Sequence, residues 1–252
     1  RGPLRDAIVA QAAGEGERGR AFGFHRAMDT AGAVAGPLLG VWLLGWAAAP
    51  ANDPAAPFRF VLWWSLAPGM LAAAAFALLV ADSGRAPNAA LRFGGAIRAL
   101  PGRFRRYAVA VGVFGAGDFS HSLLILAATE GLSAERGLAG AARVAGLLYL
   151  GRNAVQAGCS YPAGWLADRF GPRSVLRCGY ALGVATAALA AWAVRAPPEA
   201  RLGTFVGVFA LAGLYMAVQE TVESTAAADI VDPAVLATGY GVLGTVNGAS
   251  KF

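Results

Sequence analysis

About six uninterrupted apolar stretches of the length that crosses a hydrocarbon core, roughly 20 residues each, run through this chain. They lie near Ala21 to Ala48, Phe60 to Val80, Tyr107 to Thr129, Arg143 to Leu166, Val175 to Val194 and Thr204 to Thr225. Two partial stretches flank them: Ile8 to Ala13 reads as the end of a helix and Tyr240 to Phe252 as the start of another. Backbone at lipid depth must satisfy its own hydrogen bonds, which leaves helices or a closed barrel. The runs are too long and continuous for a barrel's short alternating strands. The pattern predicts an all-α, polytopic transmembrane helix bundle. Composition agrees: 57% of the 252 residues are hydrophobic and mean hydropathy is +0.52. Charged residues make up 14%, about half the ~25% usual in soluble domains. Disordered, collagen-like and ordinary soluble folds are thereby excluded.

Net charge is +6 and the pI is near 9.9, but the cations are almost all arginines set between the apolar runs. Positive-inside topology accounts for them better than nucleic-acid binding does. The longest connection, Asp82 to Arg106, holds Arg85, Arg92, Arg98, Arg103, Arg105 and Arg106 with one acid, and is expected to be cytoplasmic. Counting spans from there places the Asp168 to Arg177 loop inside as well, and the loop around Asn52-Asp53-Pro54 outside. The Asp229 to Thr238 loop, also inside, carries only acids and is a mild exception. Cys159 and Cys178 are too few for a disulfide framework or a cysteine zinc site. No metal and no cofactor is expected.

Displacing the sequence on itself by about 218 residues sets Arg20-Ala21-Phe22-Gly23 on Thr238-Gly239-Tyr240-Gly241, and the acidic turn Glu15 to Glu17 near Asp232-Pro233. Both places read as helix end, acidic turn, then a helix opening on aromatic-Gly. A repeat of that period suggests two pseudo-repeated halves, as in many secondary transporters.

The loop after the Arg143 span reads Gly164-Trp165-Leu166-Ala167-Asp168-Arg169-Phe170-Gly171-Pro172-Arg173-Ser174-Val175-Leu176. It resembles the G-x-L-A-D-R-x-G-x-R-x-x-L signature of the major facilitator superfamily, found between the second and third helices of each half; Gly164, Asp168, Arg169, Gly171 and Arg173 hold defining positions. Glycines permit a tight turn and close helix approach, and the Asp and Arg make a charge cluster able to grip a neighbouring helix end. On the Ala21 span, Gly23, Gly32, Gly36-Pro37 and Gly40 are similar to the fifth-helix motif of the superfamily's antiporters, with Val41 where a second glycine is usual. A small-residue packing stripe would have the same spacing. The segment Arg1 to Ala7, followed by Arg18 to Asp29, further resembles a prokaryotic subgroup of the superfamily. Together these likenesses imply a major facilitator fold running from the end of helix 4 to the start of helix 11. Residues 1–81 would be the C-terminal part of the first half, 82–106 the cytoplasmic linker, and 107–252 the second half. Asp168 is then expected against the amino-terminal end of the helix at Gly19 to Phe22, across the boundary between halves.

Charges at lipid depth are costly, so those present usually face a cavity or a partner. His25 and Asp29 share a helix face, and Arg26 is within reach of Asp29. A buried ion pair and a transport role both fit this group. Asp118, with Ser122 on its face and His121 beside it, falls near the middle of the Tyr107 span; imidazoles in general titrate near neutrality, so this pair suits proton transfer, a structural hydrogen bond being the alternative. Arg152, Asn153 and Gln156 occupy mid-span, where Asp118 or an anionic substrate group is the natural counter-charge for Arg152. Gln219, Glu220 and Glu223 cluster in the cytoplasmic third of the Thr204 span and read as gate or rim residues.

The resemblance implies a proton-coupled secondary transporter in the cell inner (plasma) membrane, exporting a small organic solute by alternating access and monomeric when full length. Its partners would be that solute, protons and the lipid bilayer, with no nucleic acid. Uptake by symport is the nearest alternative, and a non-transporting sensor on the same fold a further one. An enzyme is not expected: H-E-x-x-H and G-x-S-x-G are absent and there are two histidines.

Overall fold

The computed structural model describes residues 2–47, 53, 55–79, 93–118 and 120–250, and every regular element among them is a helix. In order these are α1 (Pro3–Ala12), α2 (Arg18–Trp46), α3 (Ala56–Leu79), α4 (Phe93–Arg98), α5 (Gly102–Ala116), α6 (His121–Phe170), α7 (Pro172–Ala193), α8 (Pro198–Ile230) and α9 (Leu236–Ser250). Among the described residues five helical stretches are long and apolar enough to cross a membrane, and one of them, Gly102–Phe170, holds two of the expected spans. The chain is therefore the all-α transmembrane bundle its hydropathy predicts. Asn52 and Pro54 of the outer loop, and Asp82, Arg85 and Arg92 of the linker, lie outside the described residues.

Two compact units make up the chain, Arg1–Ala31 with Arg92–Phe252, and Gly32–Leu91. In the second, α3 is apolar apart from Arg59 and Ser65 and none of its residues is buried. A helix apolar on every side has lipid as its natural solvent.

In the first unit α8 is the central helix, buried along most of its length from Thr204 to Ala228 and packed on α6 and α7. Alanines 128, 141 and 145 of α6, with Leu124 and Leu132, receive Phe205, Val208 and Phe209 of α8. Lipid tails are as apolar as leucine, so close packing of large against small residues, more than burial from water, holds such helices together.

The Tyr107 to Thr129 span is not continuous. α5 stops at Ala116, and α6 begins at His121 with Ser120 as its cap, the serine Oγ accepting the Ser122 N–H at 3.3 Å. Gly117, Asp118 and Ser120 are turn-forming residues set between apolar flanks, and the flanks made the interruption look like membrane helix. The connection expected at 130–142 is also helical: α6 runs through it and turns only at Gly137, whose φ of 68° and ψ of 162° suit a residue without Cβ.

The internal echo has a structural counterpart. α1 ends at Ala12 and α8 at Ile230; turns at 15–17 and 233–235 follow, then α2 opens at Arg18 and α9 at Leu236, all at the offset of the sequence echo. The corresponding residues Phe22 and Tyr240, both buried, meet edge to face with ring centroids 6.1 Å apart.

Candidate functional site

Asp168 stands two residues before the end of α6, Gly171 makes the turn with φ 83°, and Pro172 opens α7. The Asp168 side chain is 9% exposed. Its Oδ1 accepts the Gly19 backbone N–H at 2.7 Å and its Oδ2 the Arg20 N–H at 2.9 Å, with Arg20 Nε at 3.4 Å. The carboxylate thus satisfies first-turn donors of α2 that have no partner within their own helix, at the end where the dipole favours an anion. This is the location the loop motif led us to expect.

Close backbone approach makes the contact possible. A Cβ at Gly164 would fall on the Gly19 carbonyl and one at Gly19 on the Gly164 carbonyl, while one at Gly23 would stand 2.6 Å from the Ser160 carbonyl oxygen. Gly19 and Gly23 therefore face Ser160 and Gly164 as two small-x-x-x-small pairs. Gly19 was not singled out from sequence, although its spacing from Gly23 carried the signal. The rest of the α2 motif is looser: among the described residues a Cβ at Gly32 or Gly36 would meet nothing within 4 Å, and one at Gly40 would touch Val61 of α3 at 4.0 Å. Pro37 lies within α2. Arg18 adds a second tie, its Nη1 donating to the Ala228 carbonyl at 3.1 Å and to Asp229 Oδ1 at 3.0 Å on α8. Arg169 lies over the rings of Trp165 and Phe170, and Arg173 is exposed in the first turn of α7.

The charged group of α2 pairs differently from the sequence expectation. Arg26 Nη2 donates to Asp6 Oδ2 of α1 at 2.9 Å and to Ser224 Oγ of α8 at 3.2 Å, with the two ionic side chains 4% and 9% exposed. Asp29 instead lies 3.8 Å from Arg5, both half-exposed. Reach along one helix favoured Asp29, but the acid on the neighbouring helix is the buried one. His25 is half-buried beside this group, and its Nε2 has no hydrogen-bond partner among the described residues.

Arg152 is buried in α6, donating to Asn153 Oδ1 at 2.7 Å and meeting His121 Nε2, with the Tyr149 ring 5.6 Å from its guanidinium carbon. Asp118 lies near enough to act on the same guanidinium through space. Because Asp118 sits in the break between helices, it shares no helical face with Ser122. It lines, with His121, Tyr215 and Met216, a cavity of about 290 Å³.

Glu223 is not at a rim. It is 4% exposed, and its Oε1 accepts from Tyr180 Oη of α7 at 2.8 Å and Gln219 Nε2 at 3.1 Å, while Oε2 accepts from Asn247 Nδ2 of α9 at 3.0 Å. Tyr107 of α5 donates to its carbonyl at 2.9 Å. Glu220 Oε2 accepts from Gln156 Nε2 at 3.0 Å. Asp6, Arg26, Gln219, Glu220, Glu223 and Asn247 line one cavity of about 500 Å³. Of the candidate pathway residues, Arg26, Gln219, Glu220 and Glu223 thus line the larger cavity, with Asp6 and Asn247 added, and Asp118 and His121 line the smaller, while Tyr180 joins through its bond to Glu223.

The sequence profile of the Major Facilitator Superfamily matches residues 109–251. An uncharacterized MFS-type transporter of Methanocaldococcus jannaschii is 27% identical over 256 aligned positions, covering 98% of this chain and 58% of the relative, so the chain spans a little over half that protein's length. No solved structure matches the chain. With its helix-only bundle, its loop motif docked on α2 and more than half its length matched by the family profile, the chain belongs to the Major Facilitator Superfamily.

Proposed function

We propose that this chain is part of a proton-coupled transporter that exports a small organic solute by alternating access. The single observation that carries the reading is the Asp168 contact. In the proposed division into 1–81, a linker at 82–106, and 107–252, Asp168 belongs to one half and Gly19 and Arg20 to the other. Bonds of this kind hold one side closed and must break when that side opens, which is the two-state element that alternating access requires. Positive-inside topology makes the closed side cytoplasmic. The carboxylates of Glu223, buried among polar partners, and of Asp118, half-buried at the wall of the second cavity, are the proposed proton carriers. The glycine and proline pattern of α2, shared with the superfamily's antiporters, favours export over uptake.

Everted vesicles carrying the full-length protein provide the test. Under respiration they acidify, and a panel of small organic solutes is screened for release of acridine orange quenching. Solutes that release it in wild type should fail to do so in Glu223→Gln or Asp118→Asn. If both variants respond as wild type does, the proton assignment fails; solute and proton moving in the same direction would replace export with uptake symport.

A further inference from the structure

We propose that the cytoplasmic ends of α5 and α7 form a binding site for a phosphate-bearing anion, the headgroup of an acidic phospholipid or free phosphate. A cavity of about 820 Å³ opens between these helices and is lined by Arg103 and Arg106 of α5 and by Arg173 and Arg177 of α7. Among the described residues the only acid on its wall is Asp229, already engaged by Arg18 at 3.0 Å. Among the described residues none of the four arginines is ion-paired.

Topology alone asks only that arginines lie on the cytoplasmic side; it does not gather four of them around one cavity. Arg98 and Arg105, from the same stretch of chain, line no part of it, and Arg105 donates instead to the Arg98 carbonyl. Arg173 and Arg177 are one turn apart on α7 and so share a face. They lie at the helix end whose dipole also attracts anions. Converging like charges repel until an anion enters between them, and guanidinium forks match phosphate oxygens in pairs. Below the arginines Leu176 and Ile230 give the cavity an apolar wall, suited to the glycerol and upper acyl carbons of a lipid, and clustered cations at a cytoplasmic helix end are a usual headgroup site. The site stands whichever way solute moves.

The test uses full-length protein purified in mild detergent and native mass spectrometry with added phosphatidylglycerol or phosphatidylcholine. Wild type should retain phosphatidylglycerol about tenfold better. Arg103→Gln/Arg177→Gln should lose that preference while Arg103→Lys/Arg177→Lys keeps part of it, and Arg195→Gln, at the other end of α7, should keep all of it. Unchanged melting of the lipid-free variants excludes misfolding. Phosphatidylglycerol retained in millimolar inorganic phosphate identifies the lipid as the source. A thermal shift by phosphate in wild type but not in Arg103→Gln/Arg177→Gln, without lipid preference, identifies the free anion. If wild type and Arg103→Gln/Arg177→Gln behave alike toward both probes, the site does not exist.

Discussion

Asp168→Asn is the most direct test of the contact between α6 and α2. The carboxylate accepts two backbone N–H groups, at 2.7 and 2.9 Å, with its side chain 9% exposed. Hydrogen bonds to a charged acceptor contribute about 1.5–3 kcal/mol each, and an anion at a helix N-terminus adds roughly 0.3–1. Asparagine keeps one acceptor oxygen and turns an amide NH₂ toward the other N–H, so one bond is lost, the second weakened and the dipole term removed. Arg20 is 40% exposed, and such an ion pair contributes little. The net loss is about 2–4 kcal/mol from the closed state alone. At ~1.4 kcal/mol per factor of ten, the open-to-closed ratio should rise between roughly 30-fold and 700-fold. Spin labels at the exposed positions Glu15 and Phe170, with the free Cys159 and Cys178 replaced by alanine, report that ratio by pulsed dipolar spectroscopy of the full-length protein. A change smaller than about threefold would refute the view that these bonds hold the gate.

Two further perturbations follow from packing and charge. Gly164→Ala forces α6 away from Gly19, because the added carbon meets backbone that cannot swing aside, and should cost about 1–3 kcal/mol with a lower melting temperature. Gly158→Ala, where a Cβ would meet nothing within 4 Å, should leave melting unchanged. Asp6→Ala strands the buried Arg26 guanidinium and should destabilise by about 3–5 kcal/mol, whereas Asp6→Leu with Arg26→Met should recover most of the loss. Melting of wild type, Asp6→Leu, Arg26→Met and the double variant in one detergent forms the double-mutant cycle, and an additive result would show that the two residues do not act as a pair.

The helices were legible in the sequence because lipid leaves little latitude: an apolar run of the right length has to be a helix. Asp168 on α2 was legible because the loop motif brings its own geometry. What was missed depended on helix ends. The Thr204 span was expected to stop at Thr225, which set Glu223 at a rim; α8 continues to Ile230, and the same residue is buried. The polar stretch Gln219 to Thr225 closes the apolar run, but Ala226 to Ile230 carry the helix a further turn, which hydropathy does not register. Asp118 was expected mid-helix because Phe114 and the Leu123 to Leu126 stretch hide a turn whose residues are polar only at alternate positions. Arg26 was assigned to Asp29 because spacing along one helix is visible in sequence and adjacency between helices is not. Asp6, its partner, lies on a different helix.

The partners of Arg18 and the Glu223 carboxylate sit on one helix, α8, which bears on how the proposed gate and proton site would be coupled. Arg18 holds α8 at Ala228 and Asp229, six residues beyond Glu223, or about 9 Å along the helix. α8 is packed on α6 and α7, so a displacement at its end is carried to Glu223, where the carboxylate joins Tyr180 of α7 and Asn247 of α9. Protonating Glu223 replaces an acceptor-only group with one that donates through one oxygen and accepts more weakly there, so the hydrogen bonds arriving at that oxygen are weakened. Loosening α7 and α9 from α8 in this way weakens the same helix end that Arg18 grips. By linkage, any change at the α2 contact that favours opening must equally favour the proton. Under the proposed mechanism gate and carboxylate share one equilibrium, and Asp168, which lines neither of the two cavities, sets its midpoint.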